Sequence, residues 1–159
     1  MVYGDPTRIM ESDRIKDHAS YVAEVAKAAF PYPNEEHPDW SVHVNLPMIT
    51  VEVPVDAQTV IAPDIVVLEG AYRTAVICGE VVGARDRMDD EVEKRWRPVT
   101  RVSRLYLFVP VGWANDAKKT IKNTKVEVAR LFTYRWTPQG MEINRVEMTA
   151  ALTSRLFKD

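Results

Sequence analysis

The chain has 159 residues, of which 46% are hydrophobic and 28% charged, with a net charge of -2 and a single cysteine, Cys78. This balance is typical of one globular domain, and a lone cysteine excludes both a disulfide framework and a cysteine-rich zinc cluster within the chain. No apolar run reaches the roughly eighteen residues that span a bilayer, and residues 1–14 lack the pattern of a signal peptide, so we expect a soluble cytoplasmic protein that does not enter membranes.

The first half of the chain is predicted to form one long helix followed by three strands. Residues 12–30 carry apolar side chains at helical spacing, and two prolines at positions 31 and 33 end the helix. Residues 31–47 are expected to be an ordered loop. Residues 48–53 alternate as a half-buried strand does, and two further strands, 64–68 and 75–82, are joined by a turn at 69–72.

The second half alternates helices with strands. Residues 86–102 are predicted to be a helix that Pro98 ends or kinks, and residues 113–124 are predicted to be another. Between them, residues 105–109 form a continuous apolar run, typical of a strand covered on both faces with a parallel neighbour. Residues 131–137 and 141–146 are predicted to pair as a hairpin.

The order of elements predicts an α/β fold with a mixed central sheet flanked by helices. We expect a single domain over residues 1–159, with its core at about 12–147. Residues 148–159 are predicted to be a short helix that docks on the body of the protein or on a second subunit.

Two carboxylates stand at the ends of the predicted strand pair. Asp64 opens the first strand and Glu80 lies near the end of the second, where period two places it on one face with Val76, Cys78 and Val82. Burying an unpaired charge on an apolar face is costly, so Glu80 needs a partner. Mg²⁺ is commonly bound by one or two carboxylates with water and substrate phosphate, and the sequence predicts such an ion, Mg²⁺ or Mn²⁺, between Asp64 and Glu80.

The order Pro63-Asp64, an intervening turn and then Glu80 on paired strands resembles the motif of the PD-(D/E)xK, or restriction-endonuclease-like, nuclease superfamily. The order of elements over residues 12–147 is similar to that superfamily as well. The resemblance implies a restriction-endonuclease-like fold, metal-dependent hydrolysis of DNA, and Asp64 and Glu80 as catalytic metal ligands. It also implies the Val81 carbonyl as a third ligand and, from the leading helix, Glu24 as an additional acidic ligand.

The chain departs from this motif at Val82, where the superfamily usually places a lysine that polarises the attacking water. Valine cannot do this. In some members the lysine has moved to a neighbouring helix, which makes Lys94 the nearest catalytic candidate here. A helix that begins near Asp86 puts Lys94 about 12 Å along its axis, so the helix must fold back over the acids. His18, within the apolar stripe of the first helix, is expected to be a core or rim histidine bonded to backbone.

Charge is segregated along the chain. Residues 94–135 hold eleven basic side chains against two acidic ones, a local charge of +9. The basic residues are Lys94, Arg95, Arg97, Arg101, Arg104, Lys118, Lys119, Lys122, Lys125, Arg130 and Arg135. Such a surface predicts nucleic-acid binding through the phosphate backbone. The alternative is that these side chains are the solvated faces of a helix and its flanking strands.

The sequence leaves three functions open. The first is a metal-dependent phosphodiesterase acting on DNA, with Asp64, Glu80 and Lys94 at its centre. The second is a catalytically inactive protein of nuclease fold that binds nucleic acid or a protein partner, which explains Val82 directly. The third is an oligomeric structural module, such as a homodimer, in which the charge division forms the interface.

Overall fold

The computed structural model describes the backbone of residues 6–83 and 86–148, and side chains from residue 18 onward within those ranges. The elements are α1 (Pro6–Ala29), β1 (Trp40–Val44), β2 (Val53–Pro54), β3 (Val60–Ile61), β4 (Ile65–Glu69), β5 (Thr74–Val81), α2 (Met88–Glu91), a π-helical segment (Val92–Trp96), α3 (Arg97–Thr100), β6 (Arg104–Pro110), α4 (Ala114–Thr124), β7 (Arg130–Thr137) and β8 (Gly140–Val146). Six strands form one sheet in the order β1-β4-β5-β6-β7-β8, and β2 and β3 form a small ribbon.

The sheet is mixed, and helices cover both of its faces. Strands β5, β6 and β7 run parallel to one another, whereas β1, β4 and β8 pair antiparallel with their neighbours. On one face α1 buries Val22 and Val25 against a cluster that includes Phe108. On the other face the helical segments α2 to α4 bury Trp96 and Ile121. The prediction of an α/β fold with a mixed central sheet flanked by helices is confirmed at this level.

Strand β6 is the centre of the core. Its residues from Leu105 to Val109 are buried, and they alternate between the two apolar clusters on opposite faces of the sheet. Parallel neighbours occupy both edges of β6, with a crossover helical stretch before it and another helix after it. The continuous apolar run therefore indicated the correct environment, since only a strand covered on both faces needs apolar residues at every position.

The segment before β4 differs from its prediction. Of residues 48–53 only Val53 enters a strand, because the buried Asn45 side chain takes the backbone groups that a ladder would use. Asn45 Oδ1 accepts hydrogen bonds from the Thr50 and Val51 amides at 2.8 Å, and its Nδ2 donates to the carbonyls of Val51 and Pro63 at 2.7 Å. The predicted loop 31–47 in turn contains β1, an edge strand that pairs along β4.

The face predicted for β5 is correct from Cys78 onward and wrong at Val76. The β4–β5 register shifts so that Val67 pairs with Ile77 while Leu68 pairs with Ala75, which leaves Val76 as an extra residue. A bulge of this kind reverses the side-chain alternation. Val76 consequently packs on the α1 side of the sheet, whereas Cys78 belongs to the opposite cluster.

The predicted helix 86–102 is present as one helical stretch of three parts, α2, the π-helical segment and α3. Pro98 does not end it, since the helical stretch continues to Thr100, and the π-helical segment lies directly before α3. The prediction of a terminal helix falls almost wholly on residues 149–159, which lie outside the described part of the chain. Among the helices that are described, none has the length and apolar character to cross a membrane.

Candidate functional site

The register of β4 and β5 brings Asp64 and Glu80 together at one end of the sheet. Ile65 pairs with Gly79, so the next position on each chain sets Asp64 opposite Glu80. The two residues are buried, with 6% and 3% of their surfaces exposed. Glu80 shares its face of β5 with Cys78, as the alternation predicts, and it is the acid on an otherwise apolar face.

Asp64 is held by contacts on both of its carboxylate oxygens. The Val81 amide donates to Oδ2 at 2.9 Å, and Arg95 Nη2 donates to Oδ1 at 3.1 Å. The Asp64 carbonyl also accepts a hydrogen bond from the Asn45 amide at 3.0 Å. These contacts fix the carboxylate at the sheet end, because each oxygen has a partner on a different element.

Arg95 bridges the two acids from the π-helical segment. Its Nε donates to Glu80 Oε2 at 3.2 Å, and its Nη2 lies 3.1 Å from both Asp64 Oδ1 and Glu80 Oε2. Nη2 also donates to the Ala62 carbonyl, and Nε lies 3.9 Å from the Glu91 carboxylate. The Arg95 side chain remains 37% exposed and lines the cavity described below. Single π-helical turns occur frequently at functional sites.

Negative charge exceeds positive charge in this cluster. Burial, followed by the charge of Asp64, raises the pKa of Glu80 well above its ordinary value, although Arg95 opposes the shift. Burial, followed by the charge of Asp86, raises the pKa of Glu91. Burial alone would lower the pKa of Arg95, but the charges of Glu80 and Asp64 outweigh it and raise that pKa. The acids thus share one guanidinium between them, and a further cation would stabilise their ionised forms.

The cluster lies in an open cavity of about 500 Å³. Asp64, Glu80 and Val81 line it from the sheet, His18 lines it from α1, and Lys94 lines it from the π-helical segment. The cavity is at the end of the sheet where the parallel strands β5 and β6 finish. Open α/β sheets commonly bind their ligands outside this carboxyl end.

The structure places the sequence-predicted residues unequally. Asp64, Glu80, Val81 and Lys94 all line the cavity, and the exposed Lys94 reaches it because the helical stretch folds back over the sheet end. Glu24 is half-buried on α1, its carboxylate lies 3.5 Å from the Lys27 ammonium group, and it is absent from the described cavity wall. Four of the five candidates are therefore together, and the leading helix contributes His18 in place of Glu24.

Sequence reasoning missed Arg95 as the cation that contacts both acids. A signal was present, because Arg95 lies three residues after Val92 and four before Val99, which are both buried on the core side of the helical stretch. A residue at those spacings shares their face. The resembled motif calls for a lysine, and that residue type led to Lys94 rather than to the cation on the core-side face.

The donor set fits a divalent ion that takes few ligands from protein. No group of three or more acidic, histidine or cysteine side chains that could hold a metal converges anywhere in the described part of the chain. Asp64 and Glu80 would be the carboxylate ligands, a number that suits Mg²⁺ or Mn²⁺ with water and substrate oxygens completing the shell. The excess negative charge around Glu80 favours binding of a cation.

Comparison of this chain with protein-family models, with curated proteins and with solved structures found no match.

Proposed function

We propose that this protein is a metal-dependent phosphodiesterase that acts on DNA, with a restriction-endonuclease-like fold. The observation that carries the proposal is the convergence of two buried carboxylates and Arg95 in an open cavity at the carboxyl end of the sheet. Buried ion pairs are weak stabilising devices, since desolvation offsets much of their attraction. A cluster of this kind beside a cavity is more readily explained by chemistry than by stability.

Asp64 and Glu80 would hold the metal, with the Val81 carbonyl as a further ligand by the resemblance. The bound ion supplies Lewis-acid polarisation of the phosphoryl oxygens and neutralises developing charge. Asp64 suits this role because the Val81 amide and Arg95 already orient its carboxylate. A ligand held in this way loses little conformational freedom when it binds a cation.

Arg95 takes the place of the missing motif lysine in this proposal. A guanidinium carries a fixed positive charge and hydrogen-bonds phosphate well. Arg95 is partly exposed and lines the cavity, so its Nη1 group could meet a phosphate oxygen while Nε and Nη2 keep their bonds to the two acids. Arg95 would thereby stabilise the negative charge that grows on the phosphoryl group.

Only part of the basic segment, residues 94–135, lies where it could bind DNA at the cavity. Lys94 is exposed at the cavity, where it can contact a phosphate of the bound strand. The remaining basic residues do not form one surface. Arg104 and Arg130 flank the ring of Tyr106, which packs on the α1 side, whereas the lysines of α4 lie on the opposite side of the sheet. We therefore assign the contact with the DNA backbone to the cavity side, beginning with Lys94.

A second function has its own supporting observation. Arg95 satisfies oxygens of both acids and the Ala62 carbonyl together, and the apolar side chain of Val82 is buried in the core. A closed network of this kind also suits a catalytically inactive protein of the same fold, in which Asp64 and Glu80 are a structural pair. Such a protein would bind nucleic acid or a protein partner without cleaving it.

Plasmid nicking separates the two functions. Supercoiled DNA is incubated with the wild-type protein, with Glu80→Ala and with Glu142→Ala, whose carboxylate is exposed on β8, each with Mg²⁺, with Mn²⁺ and with chelator. The phosphodiesterase predicts nicking that needs metal, is lost in Glu80→Ala and persists in Glu142→Ala. Binding of DNA with no nicking under any condition would support the inactive protein, and a mass above 18.1 kDa with neither binding nor nicking would support the structural module.

A further inference from the structure

Gly83 marks a close approach of two side chains beside the cavity. The Gly83 amide donates to Asp86 Oδ2 at 2.7 Å. A Cβ atom at position 83 would lie 3.1 Å from Asp86 Oδ2 and 3.2 Å from His18 Nδ1. Both side chains thus converge on the space that glycine leaves open, and they do so from elements far apart in the chain. Any larger residue would push one of them away.

One edge of the imidazole is close to Gly83. The Nδ1 edge of the His18 ring faces Gly83, so Nε2 is the nitrogen farther from that residue. His18 and Asp86 both line the cavity that holds Asp64 and Glu80. The half-buried His18 therefore lies near Gly83 and also lines the open cavity.

None of the residues given a role so far is a free base. The Val82 side chain has no polar atom, the guanidinium of Arg95 cannot give up its proton, and Lys94 is assigned to a phosphate. Asp64 and Glu80 are occupied by Arg95 and would be metal ligands. Imidazole is the side chain most often used to accept a proton in catalysis.

We propose that His18 is the general base of the reaction. This role rests on the proposed phosphodiesterase function. As the oxygen of a water molecule forms its bond to phosphorus, His18 Nε2 takes a proton from that water. The bond from phosphorus to the leaving oxygen breaks with its electron pair, the leaving oxygen takes a proton from solvent, and the imidazolium returns its proton to solvent.

The test is chemical rescue of nicking with Mg²⁺. We expect His18→Ala to reduce the nicking rate by about 100-fold or more, the usual contribution of a general base. Added imidazole should restore about a tenfold gain in His18→Ala, because the truncated side chain leaves room for it, and should restore nothing in Glu80→Ala. His18→Gln fills the space, so it should lose as much activity and gain nothing from imidazole. His43→Ala, which removes a half-buried histidine of β1, should nick at the wild-type rate.

Mn²⁺ binding provides a readout that does not depend on activity, and His18→Ala should bind Mn²⁺ as the wild type does. Wild-type nicking rates in both His18 variants, loss of activity in His18→Ala without rescue, or loss of its Mn²⁺ binding would each overturn the role of His18 alone. A wild-type protein that binds DNA but never nicks it would overturn the phosphodiesterase and the base together.

Discussion

Two arginine–carboxylate contacts in this protein have nearly the same length, but they differ in burial and in the direction of the carboxylate pKa shift. Arg95 lies 3.1 Å from Glu80, and Arg135 lies 3.2 Å from Glu142 across the β7–β8 pair. The Glu80 side chain is 4% exposed and the Glu142 side chain is 41% exposed. The pKa of Glu80 is raised, first by burial, whereas the pKa of Glu142 is lowered, first by a hydrogen bond from Asn144. Burial of the carboxylate, rather than the distance to its arginine, therefore accounts for the different pKa shifts.

The exposed pair has the properties of ordinary surface charge. Water and salt screen it, and side-chain entropy opposes its formation, so such pairs contribute little to folding. The buried cluster has the opposite properties, because removing three charged groups from water costs more than their attraction readily returns. A fold that keeps such a cluster beside a cavity retains an unfavourable arrangement, which is common at functional sites and is the basis of the function proposed above.

The difference between the buried and the exposed ion pair should have its largest effect on the free energy of unfolding when the arginine is removed. Arg95→Ala leaves Asp64 and Glu80 buried without a cation, and we expect a loss of about 3 kcal/mol, the low end for a broken buried pair because Arg95 is partly exposed. Arg135→Ala should change stability by too little to separate from the error of a urea titration. Urea unfolding of both variants at neutral pH measures the difference. Equal losses in the two variants would contradict the distinction between them.

A smaller effect should appear in the pH dependence of stability. Because the folded-state pKa of Glu80 is raised above 4.5, folding favours its protonated form, and this contribution is lost as pH rises from about 4.5 through the raised pKa. Glu80→Gln cannot ionise, so its stability relative to the wild type should increase over that window. Urea titrations from pH 4.5 upward measure this difference.

Glu142→Gln is the matched control, with the opposite sign. The pKa of Glu142 is lowered in the folded state, so its stabilising contribution is present above its unfolded pKa and is lost as pH falls through the folded value. The variant should therefore fall slightly behind the wild type as pH rises toward about 4.5, which titrations extended below pH 4.5 measure, and should not change relative to it at higher pH. A difference for Glu80→Gln that does not change with pH would show that burial does not perturb Glu80.

The elements around the buried cluster were largely predictable from the sequence, whereas the cation was not. Strand period two and the length of the turn after β4 are local properties, and they set Asp64 and Glu80 at one end of the sheet. Helical spacing places Arg95 on the core-side face with Val92 and Val99, but its contact with both acids depends on how the helical stretch crosses that end, which no local pattern specifies. The π-helical turn that presents Arg95 is likewise a tertiary feature, since no residue of the segment is required to produce it.

The errors in the fold arise where partners outside a segment override its pattern. Alternation predicted a strand at 48–53, but three hydrogen bonds with the Asn45 side chain occupy backbone groups of Thr50 and Val51. Period two predicted the direction of Val76, but the bulge opposite Val67 and Leu68 reverses it. Each depends on a partner outside the segment, so its own propensity and periodicity carry no information about it.

The most direct test of the central claim is whether the buried cluster binds a divalent ion. Mn²⁺ is titrated into the protein and the free ion is followed by electron paramagnetic resonance, for the wild type, for the double variant Asp64→Asn/Glu80→Gln, and for Glu142→Gln. The proposed function predicts one Mn²⁺ per wild-type chain, loss of that site in the double variant, and unchanged binding in Glu142→Gln. A wild-type protein that binds no Mn²⁺, or a double variant that binds as well as the wild type, would contradict it.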